Sequence, residues 1–506
     1  MAETEQSSGD TPLIADVPAP NRGVIRIWIF GLAIALICTA FAWRYPLVGN
    51  TNRLADIGIL AKYGKPEFVG FCAGIGGMFF FYLLGIRESR KLTPTQAALP
   101  VFTCGLAQAT AMVWMYPVSA IDIFIYAVRS RLFTEYGLNP LAAYPRDFSG
   151  DPYMRFASAD WANSVSPYGP LWNLIAAPAT YLGGNNIGIA VALFKVLAII
   201  SALAGAAMIY LALRHVRPNS AATGALVFLW NPLLLWEGVG NGHNDLVLMV
   251  FVLAAFYAWY ARWDGIVIPL LVAGATLKYM PLLLIPFAGL AVFSRASTWR
   301  ARARVVLLSA VGSAVAIAVG FFPFYDFDAS KRSFDSQNAY YITSLPSIAI
   351  NEWQDRYNIF DIIHVTDLIG RCAVGIGLVV GAILILHNPE RWPRLAFELT
   401  FVYLLVATPS MRNWYAIWLL GIVAVLPFGW PTARAIAWSL GSLAVYGFFI
   451  WVWAWWQVDF ATINAIGVAI MVAPALVLTV GEIAAALIHK QPNPSAPALS
   501  KAEAPA

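Results

Sequence analysis

The sequence predicts an all-α polytopic membrane protein with about 12–14 membrane segments and an outward-facing loop that carries interfacial helices. Two features of the composition lead to this prediction. Of the 506 residues, 60% are hydrophobic and 12% are charged, about half the charged fraction of a soluble globular protein. Several apolar runs also reach about 20 residues, the length a helix needs to cross the hydrocarbon core of a bilayer.

Twelve apolar runs are predicted to cross the membrane, and a further stretch, 264–293, is interrupted. The predicted spans are 27–43, 68–86, 97–117, 186–213, 220–237, 244–261, 304–324, 369–387, 394–408, 413–428, 433–455 and 461–488. The interruption is Lys278-Tyr-Met-Pro281, which places a charge and a proline inside an apolar run. Either one tilted helix or two short helices that enter and return would fit 264–293.

The positive-inside rule decides between these two topologies, because short cytoplasmic loops are enriched in Lys and Arg. With the N-terminus in the cytoplasm, Arg262 and the cluster Arg295–Arg304 both fall inside only if 264–293 is a hairpin. A single helix would place the cluster outside and invert every later span. We therefore expect about 14 membrane segments, with Lys278 near the outer turn of the hairpin.

One membrane domain is predicted over 24–488, between disordered cytoplasmic tails at 1–23 and 489–506. The first tail is polar and Pro-containing, so it does not have the pattern of a cleavable secretory signal. The second tail is rich in Ala and Pro. Both compositions are typical of segments that cannot bury enough apolar surface to fold.

Two large outer loops follow from this topology, at 118–185 and 325–368. In the first loop, Ile121–Thr134 has apolar residues at helical spacing, and we expect it to lie as an amphipathic helix on the membrane surface. Ser166–Leu182 is expected to form a second interfacial or partly inserted helix. Acidic residues gather in both loops.

Several classes of function are disfavoured by what the sequence lacks. Four cysteines without CxxC spacing predict neither a disulfide framework nor a metal cluster, and no basic stripe interleaved with aromatics indicates nucleic-acid binding. There is no P-loop, HExxH or GxSxG motif. Asp326-Phe-Asp328 matches the DxD pattern of nucleotide-sugar transferases, but two aspartates at this spacing are common in polar loops. We expect no metal and no other cofactor.

Asp122 is the strongest candidate for a catalytic residue, because a carboxylate at the mouth of a membrane span costs energy unless something compensates it. Asp122, Tyr126 and Arg129 share one helix face at i, i+4 and i+7. A carboxylate here can act as a general base that accepts a proton from a hydroxyl group. The structural alternative is a helix cap, or an ion pair with Arg129.

The turn Gly238–Asp245 contains three hydrogen-bonding side chains in a row, His243, Asn244 and Asp245, at the edge of an apolar helix. Its glycines permit close approach of the backbone to a ligand. His243 is placed to share a proton with Asp122. The structural alternative is a helix start capped by Asn244 or Asp245.

Cations and aromatic residues complete the candidate site. Lys278 interrupts the hairpin, and Arg412 lies in the outer turn Pro409–Tyr415, so both suit a phosphate group at the membrane face. The structural alternatives are a snorkelling lysine and an unpartnered loop arginine. Aromatic residues in the two rigid turns are typical of sugar-stacking platforms and equally of interfacial belts; they are Tyr168, Trp172, Trp414 and Tyr415.

Together these motifs resemble the GT-C glycosyltransferases, and most closely the bacterial polyprenyl-phosphate-mannose-dependent mannosyltransferases. The resemblance covers roughly residues 100–420. It rests on Asp122 in the first outer loop, the turns Ser166–Trp172 and Asn241–Asp245, the Lys278-x-x-Pro break, and the late Asn413-Trp-Tyr sequence.

The resemblance implies a GT-C-like bundle that transfers a hexose, here mannose, from a polyprenyl-phosphate donor to a glycolipid or glycan, with inversion at the anomeric carbon. It assigns the general base to Asp122 and the donor phosphate to Lys278, Arg412 and Arg129. Tyr126, Tyr168, Trp172, Asn244, Asp245, Trp414 and Tyr415 are the expected substrate contacts. Asp122 is followed by Ile-Phe rather than a second acid, which favours catalysis without a metal. The site is expected on the extracytoplasmic side of the bacterial cytoplasmic membrane.

Two other functions fit parts of the sequence. A lipid-linked-sugar flippase or secondary transporter also carries broken helices and intramembrane charges, but no inverted repeat is visible and the polar groups concentrate at one face. A polysaccharide polymerase or ligase is also polytopic with a large outer loop, but we would expect it to rely on outer-loop arginines.

Overall fold

The computed structural model describes residues 22–51, 54–335 and 341–490. The described residues form helices and turns, with two isolated bridges and no strand. The helices are α1 (Arg22–Arg44), α2 (Ile57–Leu60), α3 (Lys65–Ser89), α4 (Pro94–Val113), α5 (Asp122–Thr134), α6 (Ala159–Ala162), α7 (Pro170–Gly183), α8 (Ile187–Val216), α9 (Ala221–Leu229), α10 (Asp245–Tyr260), α11 (Asp264–Ala275), α12 (Ile285–Arg295), α13 (Trp299–Phe321), α14 (Phe327–Asp335), α15 (Leu345–Trp353), α16 (Ile359–His387), α17 (Trp392–Val402), α18 (Ala416–Ala424), α19 (Trp430–Tyr446), α20 (Trp453–Trp456) and α21 (Phe460–Lys490).

Among the described residues, eight helices are long and apolar enough to cross a membrane, or nine if one bent pair counts as a span. That pair is Pro218–Leu229 with Leu234–Gly240, which meet at 60°. The prediction of an all-α polytopic membrane protein is confirmed. The number of full-length spans is smaller than predicted, because the chain breaks at several polar or Pro-containing turns and leaves the shorter apolar helices α10, α11, α12 and α18.

The interrupted stretch 264–293 forms a hairpin of two short helices, as the distribution of arginines predicts. α11 and α12 are separated by the break at Lys278 and a 3₁₀ turn, Met280–Leu283. The guanidinium of Arg295, at the end of α12, donates to Asp264 at the start of α11 over 2.8 Å. The start of α11 and the end of α12 therefore lie next to each other.

Ion pairs gather at one end of the helix bundle, which we call the basic end. It is defined by the pairs Arg26–Glu88, Arg262–Glu390, Arg295–Glu390, Arg434–Glu398 and Arg434–Glu482. The opposite end, the site end, carries α5, α7 and the break at Lys278. The chain runs between the two ends along successive long helices, which places both described termini at the basic end.

The helix α5 is buried on all sides, and this corrects the prediction that Ile121–Thr134 is amphipathic with one exposed face. Every residue from Ile123 to Leu132 is buried, because α5 packs against α7 and α8 and is covered by the following loop. The charged residue Arg131 is buried as well. It bonds to Asp151 at 2.5 Å and to the carbonyl of Gly184 at 2.7 Å, so the loop satisfies its charge. The predicted second helix is present as α7.

Candidate active site

The site end contains a cavity of about 990 Å³. Asp122, Tyr168, Lys278, Arg412 and Tyr415 all line it. The sequence had indicated these residues in four separate segments, and the fold brings them to one space. Trp414 also lines the cavity, which confirms that the Pro409–Tyr415 turn belongs to its wall.

Asp122 is the first residue of α5, where the unpaired backbone N–H groups of the helix end favour a negative charge. The hydroxyl of Tyr168 donates to Asp122 Oδ1 over 3.4 Å. The carboxylate is partly exposed to the cavity. This arrangement keeps a carboxylate oxygen available to a hydroxyl group of a ligand.

A chain of hydroxyl and imidazole groups leads away from Asp122. Tyr168 Oη lies 3.5 Å from Tyr126 Oη, and Tyr126 Oη lies 3.5 Å from His243 Nδ1. Burial raises the pKa of Tyr126 well above its ordinary value, and the neighbouring Tyr168 and Asp122 raise it further. Burial, followed by the charge of Asp122, likewise raises the pKa of Tyr168 well above its ordinary value. Both phenols therefore stay protonated, and they connect His243 to Asp122 by hydrogen bonds.

Glu237, which the sequence reading missed, stands behind His243. Its Oε2 lies 3.2 Å from His243 Nε2, and both side chains are fully buried. Asn241 donates to the same Glu237 oxygen over 2.8 Å, and Ser119 donates to the other oxygen over 3.3 Å. Trp414 stacks on the face of the imidazole, with ring centroids 3.7 Å apart. The contacts hold His243 in one orientation.

The turn between the helical segments of 234–260 is fitted closely against α5. It follows a π-helical segment, Leu234–Gly240, and contains Gly242 at φ +72°. A Cβ at Gly242 would lie 2.3 Å from Ile123, the residue after Asp122. Glycine is required there by both conformation and space. Asn244 occupies the N-cap position of α10, but its buried amide neither caps the helix nor hydrogen-bonds to another described group.

Lys278 forms an ion pair with Asp245, and this corrects the picture of two independent ligand-binding groups. Its Nζ lies 2.9 Å from each carboxylate oxygen of Asp245, and Trp418 also donates to Asp245 over 2.6 Å. Asp245 is fully buried and does not line the cavity. Lys278 does line it, with the rings of Tyr415 and Tyr168 at 4.7 Å and 5.9 Å. The pair compensates a charge that the break would otherwise bury alone.

Arg412 is the cavity cation without a carboxylate partner among the described residues. Its guanidinium forms no ion pair or hydrogen bond within the described part of the chain, and the residue is partly exposed in the cavity wall. The backbone on either side of it is fixed, because Met411 N donates to Ile342 O over 3.0 Å and Tyr415 stacks on Trp418 at 4.4 Å. A fixed backbone with an available guanidinium suits bidentate binding of an anionic group.

Three predicted ligand contacts lie behind the cavity wall instead of on it. Tyr126 and Trp172 are buried and pack edge to face, with ring centroids 5.1 Å apart. Arg129 is buried, donates to Ser164 over 2.8 Å, and lies 5.5 Å from the ring of Trp161, which lines the cavity. In this structure these three side chains support the wall of the cavity.

Comparison of the sequence with models of known protein families identifies one family that matches this chain. The model of a family described as alpha-(1->6)-mannopyranosyltransferase, N-terminal domain, matches residues 28–294, more than half of the chain. The chain belongs to this family. The match includes Asp122, His243 and Lys278, and it ends just before the basic cluster that follows α12.

Individual members of the family align over shorter stretches. The alpha-(1->6)-mannopyranosyltransferase A of Corynebacterium glutamicum is 24% identical over 186 residues, which is 36% of this chain and 36% of that protein. The B protein of the same organism is 30% identical over 27% of this chain and 23% of its own length. The A protein of Mycobacterium tuberculosis is 27% identical over 28% of each chain. Each alignment thus spans about a third or less of the relative.

Lys195 connects two segments of the chain that lead to the candidate site. It lies on α8, is fully buried, and its ammonium donates to the carbonyls of Met115 and Gly240. Met115 follows α4, from which the chain runs to Asp122, and Gly240 ends the π-helical segment before His243. A cation at carbonyl-bearing helix ends is favourable, and here one ammonium fixes both segments.

Two residues that were not predicted from the sequence, Glu237 and Lys195, stand out in it as charges within apolar runs. Glu237 is a carboxylate within the apolar run 233–239, and Lys195 is the only charged residue between Ile187 and Leu213. Ionisable residues inside apolar spans are uncommon and usually have a partner or a function. The described residues contain no group of three or more His, Cys, Asp and Glu side chains arranged around a metal position. Asp326 instead caps α14, because its Oδ1 accepts from Ala329 N over 2.9 Å.

Gly169 is predicted to be indispensable, because it docks the Ser166–Trp172 turn onto the break at Lys278. Gly169 N donates to Leu277 O over 2.9 Å, and a Cβ at Gly169 would lie 2.1 Å from the carbonyl oxygen of Thr276. We expect Gly169→Ala to destabilise the protein by about 1–3 kcal/mol and to displace Tyr168. Thermal unfolding in detergent measures this.

Gly150→Ala is the matched control, since its Cβ would meet nothing within 4 Å in the same loop. Equal unfolding temperatures for the two variants would contradict the close docking of the turn.

Proposed function

We propose that this chain is an inverting membrane mannosyltransferase that moves mannose from a polyprenyl-phosphate donor to a glycolipid or glycan acceptor, with Asp122 as the general base. The observation that carries the proposal is the single cavity shared by Asp122, Arg412 and Lys278 at the site end. Membership of an alpha-(1->6)-mannopyranosyltransferase family supports mannose as the sugar. Transfer from a phosphate donor produces an anionic leaving phosphate and releases a proton from the acceptor hydroxyl. The two cations can stabilise the phosphate, and the carboxylate can accept the proton.

The donor phosphate is assigned to Arg412 and Lys278. Arg412 is available for bidentate contact, and Lys278 shares its charge with Asp245. Beside Lys278 the cavity wall is apolar, formed by Leu282, Pro286 and Leu378. Leu282 remains 50% exposed at the outer surface of the bundle. An isoprenoid chain fits such a lipid-facing mouth, because its tail stays among apolar groups while its phosphate meets the cations.

The chemistry of transfer needs few protein groups. The anomeric carbon–oxygen bond to the phosphate breaks, the acceptor hydroxyl oxygen bonds to that carbon from the opposite face, and its proton goes to Asp122. The phosphate leaves as an anion that Arg412 and Lys278 stabilise. Inversion with an α-linked product requires a donor in which mannose is β-linked to the phosphate. Asp122 lines the open cavity, so the proton can leave its carboxylate to water or buffer after the product departs. Tyr168 and Tyr126 connect Asp122 by hydrogen bonds to the buried pair His243 and Glu237.

A transfer assay in detergent tests this function against its alternatives. Purified protein is given polyprenyl-phosphate-[¹⁴C]mannose in the β or the α configuration, together with an α-mannoside acceptor, and the product is analysed for radioactive α-(1→6) linkage. We expect transfer from the β donor, without a membrane gradient and after treatment with EDTA. Transfer from a nucleotide-sugar in place of the lipid donor would refute the donor assignment, and movement of lipid across vesicles without transfer would favour a flippase.

The site end is proposed to face the extracytoplasmic side, since the arginines of the opposite end follow the positive-inside rule. We predict that a cysteine at Ser297, exposed at the basic end after α12, resists a membrane-impermeant thiol reagent in intact cells. A cysteine at Ser149, exposed in the loop of the site end, should react. The measurement is the labelled fraction of each variant before and after permeabilisation. The reverse labelling pattern would show that the site end faces the cytoplasm.

A further inference from the structure

The cavity contains a second carboxylate, Asp56, to which neither the motifs nor the family gives a role. Asp56 lies between α1 and α3, immediately before the short helix α2, and it lines the same cavity as Asp122. Its Oδ1 accepts a hydrogen bond from Ile59 N over 2.8 Å and so caps α2. Its Oδ2 accepts no hydrogen bond in the part of the chain that the structure describes. One oxygen of Asp56 is thus committed to the fold, and the other is available.

Asp56 is held at a fixed place relative to Asp122. Ile57 N donates to Val118 O over 2.6 Å, and Ala55 N donates to the hydroxyl of Tyr116 over 3.2 Å. These bonds fasten the Asp56 segment to residues 116–118, which lead directly into Asp122. The capping segment is therefore part of the wall that carries the proposed base.

Lys278 approaches Asp122 from another segment, by way of Tyr168. Tyr168 Oη donates to Asp122, and the ring of Tyr168 lies 5.9 Å from Lys278 Nζ. Following contacts along the wall, the order is Asp56, then Asp122, then Tyr168 and Lys278. Along this path Asp122 lies between Asp56 and Lys278.

We propose that Asp56 binds hydroxyl groups of the acceptor sugar and helps to determine which acceptor is used. This inference rests on the proposed function, because an in-line displacement places the acceptor and the leaving phosphate on opposite sides of the reacting carbon. The phosphate belongs with Lys278 and Arg412, and Asp56 would repel it. Sugar hydroxyls are hydrogen-bond donors, and an ionised carboxylate accepts from them strongly.

The cap offers a way to remove this contact without unfolding α2. Asn and Ser are both good N-cap residues, since each supplies a side-chain oxygen for the backbone N–H. Asp56→Asn keeps the capping oxygen and replaces the second oxygen by an amide donor. Asp56→Ser keeps the cap and removes the second oxygen. Asp147→Asn, at an exposed position of the first outer loop, is the matched control for loss of a negative charge.

Initial rates with varied donor and acceptor give the first readout. For both Asp56 variants we expect the acceptor KM to rise roughly 10- to 100-fold, the range for loss of a hydrogen bond to a charged group. The donor KM, the kcat at saturating acceptor and the slow hydrolysis of donor by water should stay as in the wild type. The unfolding temperature should stay unchanged as well. Asp147→Asn should leave all of these values unchanged.

Direct binding gives a second readout that does not depend on turnover. Trp161, Trp414 and Trp418 line the cavity, so α-(1→6)-mannobiose binding is followed by tryptophan fluorescence in detergent. Wild-type protein should bind the disaccharide, and both Asp56 variants should bind it at least 10-fold more weakly. If binding behaves in this way but no sugar is transferred from the lipid donor, the proposed donor is wrong and the Asp56 subsite stands.

Three results would overturn the inference. One is an unchanged acceptor KM and mannobiose affinity in both variants, which would leave Asp56 as a helix cap alone. Another is a rise in the donor KM instead of the acceptor KM, which would place the donor on the Asp56 side. A third is loss of wild-type activity in EDTA with recovery in Mg²⁺ or Mn²⁺, because Asp56 and Asp122 would then serve as ligands of a divalent ion.

Discussion

Asp122→Asn is expected to reduce mannosyl transfer by roughly 10²–10⁴-fold, the usual contribution of a general base. The amide keeps the shape of the side chain, and its oxygen can still accept the bond from Tyr168. It cannot take the proton of the acceptor hydroxyl. The variant should therefore insert, unfold at the wild-type temperature and bind donor normally, while kcat falls. Turnover is measured with the β-linked lipid donor.

The matched control for this substitution is again Asp147→Asn, since Asp147 is an exposed aspartate of the same loop outside the cavity. It should retain wild-type turnover. A kcat for Asp122→Asn within threefold of the wild type would remove Asp122 from the role of base. A second variant, Tyr168→Phe, would then show whether the hydroxyl chain has any part in proton transfer.

Substitution of Arg412 is expected to have the second-largest effect. Arg412→Gln should lower kcat/KM for the donor by roughly 10- to 100-fold, because the guanidinium makes charge-assisted bonds to the phosphate that strengthen as the bond to the sugar breaks. Arg412→Lys should restore only part of this loss, since an ammonium cannot make the paired contact of a guanidinium. The acceptor KM should not change. Steady-state rates with varied donor provide the measurement.

Arg44→Gln is the control for Arg412, because Arg44 is exposed and pairs with Glu67 away from the cavity. Equal effects of the two substitutions would indicate a general dependence on positive charge. A rise of the acceptor KM in Arg412→Gln, with an unchanged donor KM, would exchange the donor and acceptor sides of the cavity. That result would contradict the Asp56 inference at the same time.

The parts of the fold that could be predicted are those with a local cause. The arginines around 264–293 indicated the hairpin, and the break at Lys278 showed where its two helices separate. Asp122 stood out because an acidic residue follows an apolar run. The Ser166–Trp172 turn was visible as a rigid Pro- and Gly-containing sequence, although nothing local showed that it docks on Thr276 and Leu277.

The parts that could not be predicted depend on partners far away in the chain. Lys278 and Asp245 each suggested a ligand, but they neutralise each other across 33 positions. The helical spacing of apolar residues in Ile121–Thr134 suggested an amphipathic helix, yet Arg131 bonds to Asp151 within the folded loop. Asp56 had no signal at all, because its place in the cavity follows from a backbone bond between Ile57 and Val118.

The buried ammonium of Lys195 also sets an order for membrane insertion. A lysine inside an apolar helix opposes its release into lipid, by about 2.5–3.5 kcal/mol at the helix centre. Of the two carbonyls that solvate Lys195, Met115 is synthesised before α8 and Gly240 after it. Lys195 is therefore solvated by both carbonyls only after the next helical pair has packed beside α8. The packing step that completes its solvation also brings the segment leading to His243 into place.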